Sequence, residues 1–345
     1  MTDAPIRLGT RRSLLARTQS GHVADLIRPL GRQVELVEIT SDGDRTQAAG
    51  TPLTGASSTG VFVSALRDAL LAGEIDVAVH SLKDLPTYPT EGVALAAVPA
   101  REDPRDVVVA RDGLTLAELP AGARVGTGSP RRAAQIRALG LGLDLVGVRG
   151  NVDTRIGKVR SGEYDAVVLA RAGLARIDRL DEVSEVLDPL QVLPAPGQGA
   201  LAVECRADDA ALRAFLAELD DPFARAAVAA ERAVLATLEG GCAAPIGSLA
   251  EVAEGEDGTE LWVRAAVLSP DGSRAIRLSA TGPVHDAAGV GTRLAEEMLA
   301  EGAAALGSDH DGDPDGDPNA EQKADPNKGD GPHPAAPELD KVHNA

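Results

Sequence analysis

Aromatic side chains make up only 2% of this 345-residue chain: three Phe, two Tyr and one Trp. So few rings argue against a surface that stacks nucleic-acid bases, and a formal net charge of −19 lacks the basic footprint that phosphate backbones select, so no nucleic-acid partner is expected. Cysteine is as scarce. Cys205 and Cys242 have neither metal-ligand spacing nor the numbers for a disulfide framework, so no metal is expected and each thiol needs its own explanation. No stretch reaches the roughly 18 to 20 uninterrupted apolar residues of a membrane span. Met1 to Pro5 lead into a strand-like segment without a charged-then-apolar leader, so the cytoplasm is the expected compartment and no membrane partner is expected. Lysine is nearly missing too: before Ser308 only Lys83 and Lys158 occur among 31 basic residues, the other 29 being Arg. A GC-rich coding preference accounts for that total, so position must decide which arginines carry function.

What is there is an alternation of short β-branched runs and helical patterns over the first two thirds of the chain, which predicts an α/β fold with largely parallel sheets. Strands are expected at Ile6 to Gly9, Gln33 to Ile39, Asp76 to Val79, Val107 to Val109, Arg124 to Gly126, Leu143 to Val146 and Ala166 to Leu169. Val23, Leu26, Ile27 and Leu30 have the i, i+3, i+4, i+7 spacing of a helix face, as do Phe62, Ala65, Leu66, Ala69 and Leu70. Two Pro-containing stretches, Pro99 to Pro104 and Leu193 to Gly197, read as paired crossings between lobes, the second returning a strand over Gly199 to Glu204 to the first lobe. The expected division is residues 1–99 with 196–219 as domain 1, 104–193 as domain 2 and 221–306 as domain 3. In the third, Asp221-Pro222 opens a helix that Gly240-Gly241 closes, and a hairpin turning at Ser269 to Gly272 precedes a final helix near His285 to Ala300. Residues 308–345, with ten acids against three Lys and almost no apolar side chains, are expected to be disordered.

Chemistry concentrates where predicted strands meet predicted helices. In Gly126-Thr127-Gly128-Ser129-Pro130-Arg131-Arg132, Ser129 is the expected N-cap and Pro130 the first helical residue, so free N–H groups and the positive dipole end mark an anion site. Two cations there oppose the helix dipole by about 0.3 to 1 kcal/mol each, a cost that an anionic ligand reverses. The competing reading is two solvated arginines. Gly9-Thr10-Arg11-Arg12-Ser13 and Arg149-Gly150-Asn151-Val152-Asp153-Thr154-Arg155, with Asn151 the expected N-cap of the latter, repeat the arrangement, and three such corners favour a polyanion site at the carboxyl ends of strands. In Val77-Ala78-Val79-His80-Ser81-Leu82-Lys83-Asp84 an apolar strand ends in a polar cluster. Asp84 is the best general acid/base candidate, Lys83-Asp84 reads equally as a surface ion pair, and His80 as a structural histidine.

With Pro196-Gly197-Gln198-Gly199-Ala200-Leu201, Gly162-Glu163-Tyr164-Asp165-Ala166 and Gly240-Gly241-Cys242-Ala243-Ala244-Pro245-Ile246-Gly247, these motifs resemble the porphobilinogen deaminase family in content and order over about residues 5 to 300. The resemblance implies two periplasmic-binding-protein-like lobes with a hinge, a small C-terminal α+β domain, and a monomer. It implies an enzyme that joins four porphobilinogens head to tail with loss of ammonia, on a dipyrromethane cofactor held by a Cys242 thioether. By motif match, Asp84 is catalytic, Ser81, Lys83, Ser129, Arg131 and Arg132 bind the cofactor, and Arg11, Ser13, Gln19, Arg149, Arg155 and Arg176 bind substrate. The chain departs from the family pattern at Ser57 to Gly60, where Thr59 replaces a loop lysine, and at Thr40 to Asp44. Two rivals stand beside this expectation. A two-lobed dicarboxylate-binding protein leaves Cys242 unexplained, and a Cys-dependent hydrolase needs an activating His in a motif the chain does not offer.

Overall fold

The computed structural model describes residues 4–39, 58–239, 245–255 and 258–307. Cys242, the Thr40 to Asp44 stretch, the Ser57 to Gly60 side chains and the expected disordered tail lie outside the described residues. Strand β1 (Ile6–Thr10) leads to α1 (Leu14–Ile27), β2 (Val34–Glu38), α2 (Ser58–Leu71), β3 (Val77–Ser81) and β4 (Val93–Ala97). After the first crossing come β5 (Asp106–Ala110), β6 (Arg124–Gly126), α3 (Pro130–Ala138), β7 (Asp144–Val146), α4 (Val152–Arg160), β8 (Ala166–Ala170), α5 (Arg171–Arg176) and β9 (Glu185–Val186). The second crossing returns the chain to β10 (Leu201–Arg206) and α6 (Ala210–Leu216). The remainder is α7 (Pro222–Glu239), β11 (Ile246–Gly255), β12 (Gly258–Leu268), β13 (Ala275–Pro283) and α8 (Ala287–Ala300). All of it belongs to one compact unit within Met1–Asp309.

The first sheet has the order β2-β1-β3-β10-β4 and the second β7-β6-β8-β5-β9. β1 runs parallel to β2 and β3, and β6 parallel to β7 and β8, but β10 and β5 run antiparallel to both of their neighbours. The expectation of largely parallel sheets is therefore corrected to mixed ones. The reason is positional: β5 and β10 are the first strands after a crossing, and each enters its sheet at the end where the resident strands finish. Leu201 pairs with Ser81, and Asp106 with Ala170. Residues just before β10 and at the head of β5 are thus delivered to the carboxyl ends of the parallel strands, where ligands bind in such sheets.

Both faces of these sheets are covered, which is why their strands read as unbroken apolar runs. Val108 packs with Leu116, Val125 and Ile136 on one face, while Val107 and Val109 pack with Ile156 and Leu174 on the other. In the first sheet Cys205 is fully buried among Val203, Leu212 and Phe215, and burial pushes its thiol up to about 11, in keeping with an unreactive packing residue.

The third sheet, β11-β12-β13, is antiparallel and packed on one face by α7 and α8. Strand β11 was not among the expected strands because only Ile246 and Val252 of its ten residues are β-branched, yet it pairs with β12 along its whole length. Glu231 on α7, 0% exposed, ties this region to both crossings. Its carboxylate accepts from Arg101 Nη1 (2.7 Å) and Nη2 (2.9 Å), from the Gly197 amide (2.6 Å) and from the Ala250 amide (2.8 Å), and Arg101 Nε donates to the Gln198 carbonyl (2.9 Å).

Candidate active site

The carboxyl ends of β1 and β3 open onto a cavity of about 230 Å³ lined by Arg11, Ser13, Gln19, His80, Ser81 and Asp84, with Leu15, Val63, Leu66 and Val79 as its apolar wall. Ser13 is in extended conformation (φ −64°, ψ 145°) and its hydroxyl accepts from the Ala16 amide at 3.3 Å, capping α1. A turn and a half further along α1, Gln19 Nε2 donates to Ser81 Oγ at 2.8 Å, locking the helix to the end of β3. A single 3₁₀ turn, Leu82–Asp84, then turns Lys83 and Asp84 outward from the buried Leu82.

Asp84 keeps an exposed surface while being surrounded by protein on its other sides. Desolvation there raises its carboxyl above the usual range, against the pull of Lys83, His80 and Arg11. Lys83 is pushed the other way, to about 8, by burial and by Arg132 and Arg131, with Asp84 and Asp106 opposing. The two groups make no direct ion pair among the described residues; Lys83 Nζ donates to Gln198 Oε1 at 3.2 Å. The surface-pair alternative therefore falls. His80, expected as a structural histidine, is 6% exposed at the cavity wall, with Nε2 3.3 Å from Glu204 Oε2, close but not aligned as a hydrogen bond, and Glu204 is forked by Arg67 at 2.9 and 2.6 Å.

On the second sheet the predicted caps form. Ser129 Oγ accepts from the Arg132 amide at 3.4 Å, and Asn151 Oδ1 from the Thr154 amide at 2.9 Å. Arg131 and Arg132 are not solvated, each being 6% exposed, so that alternative falls as well. They fork inward onto one carboxylate: Arg131 Nη2 donates to Asp106 Oδ2 (2.8 Å) and Arg132 Nη2 to Asp106 Oδ1 (2.7 Å), while their other Nη atoms donate to the carbonyls of Leu193 and Val168. Burial opposes ionisation of Asp106, but the two guanidiniums outweigh it and hold the carboxyl well below the usual range. Arg155 Nε donates to Gly150 O (2.9 Å) and Arg176 Nη2 to Gly199 O (2.6 Å), so Arg176 reaches the second crossing. Burial lowers both guanidiniums, Arg132 adding to the effect at Arg155. Arg149 stands exposed with no ion-pair partner among the described residues.

Asp106 and Gln198 join the two halves, since Gln198 Nε2 donates to Asp106 Oδ1 (2.8 Å) and to Pro104 O (2.6 Å) while its oxygen accepts from Lys83. Sequence reasoning assigned neither a role. The signal available was an acid opening the apolar run Asp106-Val107-Val108-Val109, which cannot be buried without cations to meet it.

Lys83, Arg131, Arg132, Arg149, Arg155 and Arg176 outnumber Asp84 and Asp106, and the buried Nε of Arg132 has no partner among the described residues. The fold and this charge excess define a two-lobed α/β protein with a surplus of cations near one carboxyl group. The donor set suits the propionate- and acetate-bearing dipyrromethane. The chain belongs to the porphobilinogen deaminase family: residues 6–214 match its dipyromethane cofactor binding domain and residues 225–300 its C-terminal domain. It is 60% identical over 316 residues to porphobilinogen deaminase 1 of Streptomyces coelicolor, covering 89% of this chain and 98% of that one. It is 56% identical over 306 residues to porphobilinogen deaminase of Mycobacterium tuberculosis, covering 87% and 98%. A Salmonella typhimurium periplasmic binding protein aligns over 63% of this chain and 92% of its own at 15% identity and a TM-score of 0.37.

Proposed function

We propose that the protein is a hydroxymethylbilane synthase of tetrapyrrole biosynthesis, condensing four porphobilinogens head to tail with loss of ammonia and then releasing the linear product by hydrolysis. The carrying observation is that Asp84, with its raised carboxyl, stands beside a run of contacts from Lys83 through Gln198 and Asp106 to Arg131 and Arg132. One proton-moving group is thereby set against fixed cations. A porphobilinogen carries two carboxylates, and charge-assisted hydrogen bonds to guanidinium contribute about 1.5 to 3 kcal/mol each. Lys83, Ser81, Ser129, Arg131 and Arg132 would hold the dipyrromethane, and Arg11, Ser13, Gln19, Arg149, Arg155 and Arg176 the incoming substrate. When bound, the dipyrromethane supplies the primer that is lengthened. Its anchoring to Cys242 rests on the motif match.

Asp84 donates a proton to the aminomethyl nitrogen of porphobilinogen, so that ammonia rather than amide ion departs. As the carboxylate it then faces the electron-poor methylene carbon that is left, and it accepts the proton that the attacking pyrrole carbon gives up. Raising the carboxyl eases its protonation, which suits a group that must give a proton as well as take one. A cytoplasmic monomer fits this reading. Among the described residues no helix is long and apolar enough to cross a membrane. The deciding assay adds porphobilinogen and, after acid oxidation, measures uroporphyrin, with intact mass read in parallel. Uroporphyrin and a dipyrrole-sized adduct on Cys242 are the expected results; an active protein without the adduct removes Cys242 from its role, and no uroporphyrin defeats the proposal.

A further inference from the structure

We infer that Asp106 and Gln198 are positioning residues for this chemistry, Asp106 presetting Arg131 and Arg132 for one ligand carboxylate and Gln198 holding Lys83 in the same frame. The inference rests on the functional reading above. Asp106 is 0% exposed at the head of an otherwise apolar strand, and three N–H groups reach its two oxygens, from Arg131, Arg132 and Gln198. A single carboxylate meets two guanidiniums. Their remaining Nη donors go to uncharged carbonyls, so one positive charge and the unpartnered buried Arg132 Nε are left over. That remainder matches one further carboxylate, held in a place the protein has already shaped.

Gln198 has only one way to sit. Its amide nitrogen lies between two oxygens, Pro104 O and Asp106 Oδ1, and must donate to both, which turns its Oε1 to Lys83. Its own carbonyl is held by Arg101 Nε. The Lys83 ammonium is therefore placed from the crossing rather than from the strand that carries it. The charged groups facing it are Asp84 and Asp106, which favour the ammonium, and Arg131 and Arg132, which oppose it. The Gln198 acceptor is a further favourable contact, and its loss makes Lys83 easier to deprotonate.

Two variants of the full-length enzyme separate positioning from simple packing. In Gln198→Leu, kcat/KM for porphobilinogen should fall about 10- to 100-fold, the worth of a hydrogen bond to a charged group, and the basic limb of its pH profile should move to lower pH. A merely structural glutamine would leave that limb where it is. In Asp106→Asn, kcat should fall with KM not raised, because carboxylates still bind but no longer in fixed geometry. The same variant should be stabilised by inorganic phosphate more than wild type is, measured as the rise in Tm, since two buried guanidiniums then lack a resident anion. An unmoved basic limb in Gln198→Leu overturns the role of Gln198, and a phosphate response in Asp106→Asn equal to wild type overturns that of Asp106. If Asp106→Asn does not fold, Asp106→Glu takes its place: the resident anion survives but is displaced, so kcat should fall while the phosphate response stays that of wild type, and an unchanged kcat overturns the role of Asp106. Wild-type protein that consumes no porphobilinogen defeats the functional reading instead, and the phosphate comparison still tests Asp106.

Discussion

Asp84 and Lys83 are adjacent on one 3₁₀ turn, and burial moves them towards each other on the pH scale, the carboxyl upward and the ammonium down to about 8. The acid–base work assigned to Asp84 depends on its charge as well as its shape. Asp84→Asn should therefore lower the porphobilinogen consumption rate by about 10² to 10⁴-fold, the range of a general acid–base group, with the melting temperature unchanged. Asp84→Glu should keep slight activity, because the carboxylate survives but is displaced by a methylene. A fully active Asn variant would take Asp84 out of the mechanism. What was legible in the sequence at this scale was local. The caps Ser129 and Asn151 follow from strand-to-helix corners, and Asp84 from the polar end of an apolar strand. The turning of Arg131 and Arg132 onto Asp106 was not legible, because that pairing spans 25 and 26 residues and depends on how β5 enters the second sheet. The corner pattern showed a need for negative charge without showing that the protein supplies part of it.

Strands β3 and β10 with helix α2 enclose a second buried charge cluster, this one beneath the cavity. Burial alone would raise the Glu204 carboxyl, but Arg67 and His80 outweigh it and hold it at about 2, against an ordinary 4.5. A depressed folded pKa means that the stabilisation is fully present above the unfolded value and is lost as pH falls from about 4.5 through about 2. Glu204→Gln should lower stability at neutral pH and flatten the loss between those limits, as followed by urea unfolding at stepped pH. An acid profile as steep as wild type would show that other carboxylates govern it. The elements themselves were largely legible, since period-two runs and helical spacing reflect burial that each segment meets along its own length. Strand direction was not, because it depends on which end of the sheet a crossing enters. Gly199 marks one such entry: its φ is +89°, and a Cβ there would lie 2.2 Å from the Glu102 carbonyl oxygen of the other crossing. Gly199→Ala should cost more than the roughly 1 kcal/mol of the left-handed backbone alone, read as a lower urea midpoint, because this segment cannot retreat without breaking the bond from Arg101 to the Gln198 carbonyl and that from Arg176 to the Gly199 carbonyl.

At the scale of the whole molecule, the two crossings, the middle of β11 and helix α7 meet at one carboxylate. Glu231 takes both Nη atoms of Arg101 on the first crossing, the Gly197 amide on the second and the Ala250 amide on β11, with its side chain fully buried. The third sheet is thereby fastened to the segment that places Gln198 and, through it, Lys83. Removing one partner of such a pair leaves an uncompensated buried charge, at about 3 to 5 kcal/mol. Glu231→Leu should show a loss of that size in urea unfolding, and its kcat/KM should fall even though the substitution lies outside the cavity. Arg101→Leu combined with Glu231→Leu should recover part of the stability, because the stranded guanidinium is gone. Recovery should stay incomplete, since the Gly197 and Ala250 amides remain buried without an acceptor. A double variant as unstable as the two single losses added together would mean that the residues act independently, and that the third sheet is not fastened to the crossings through this pair.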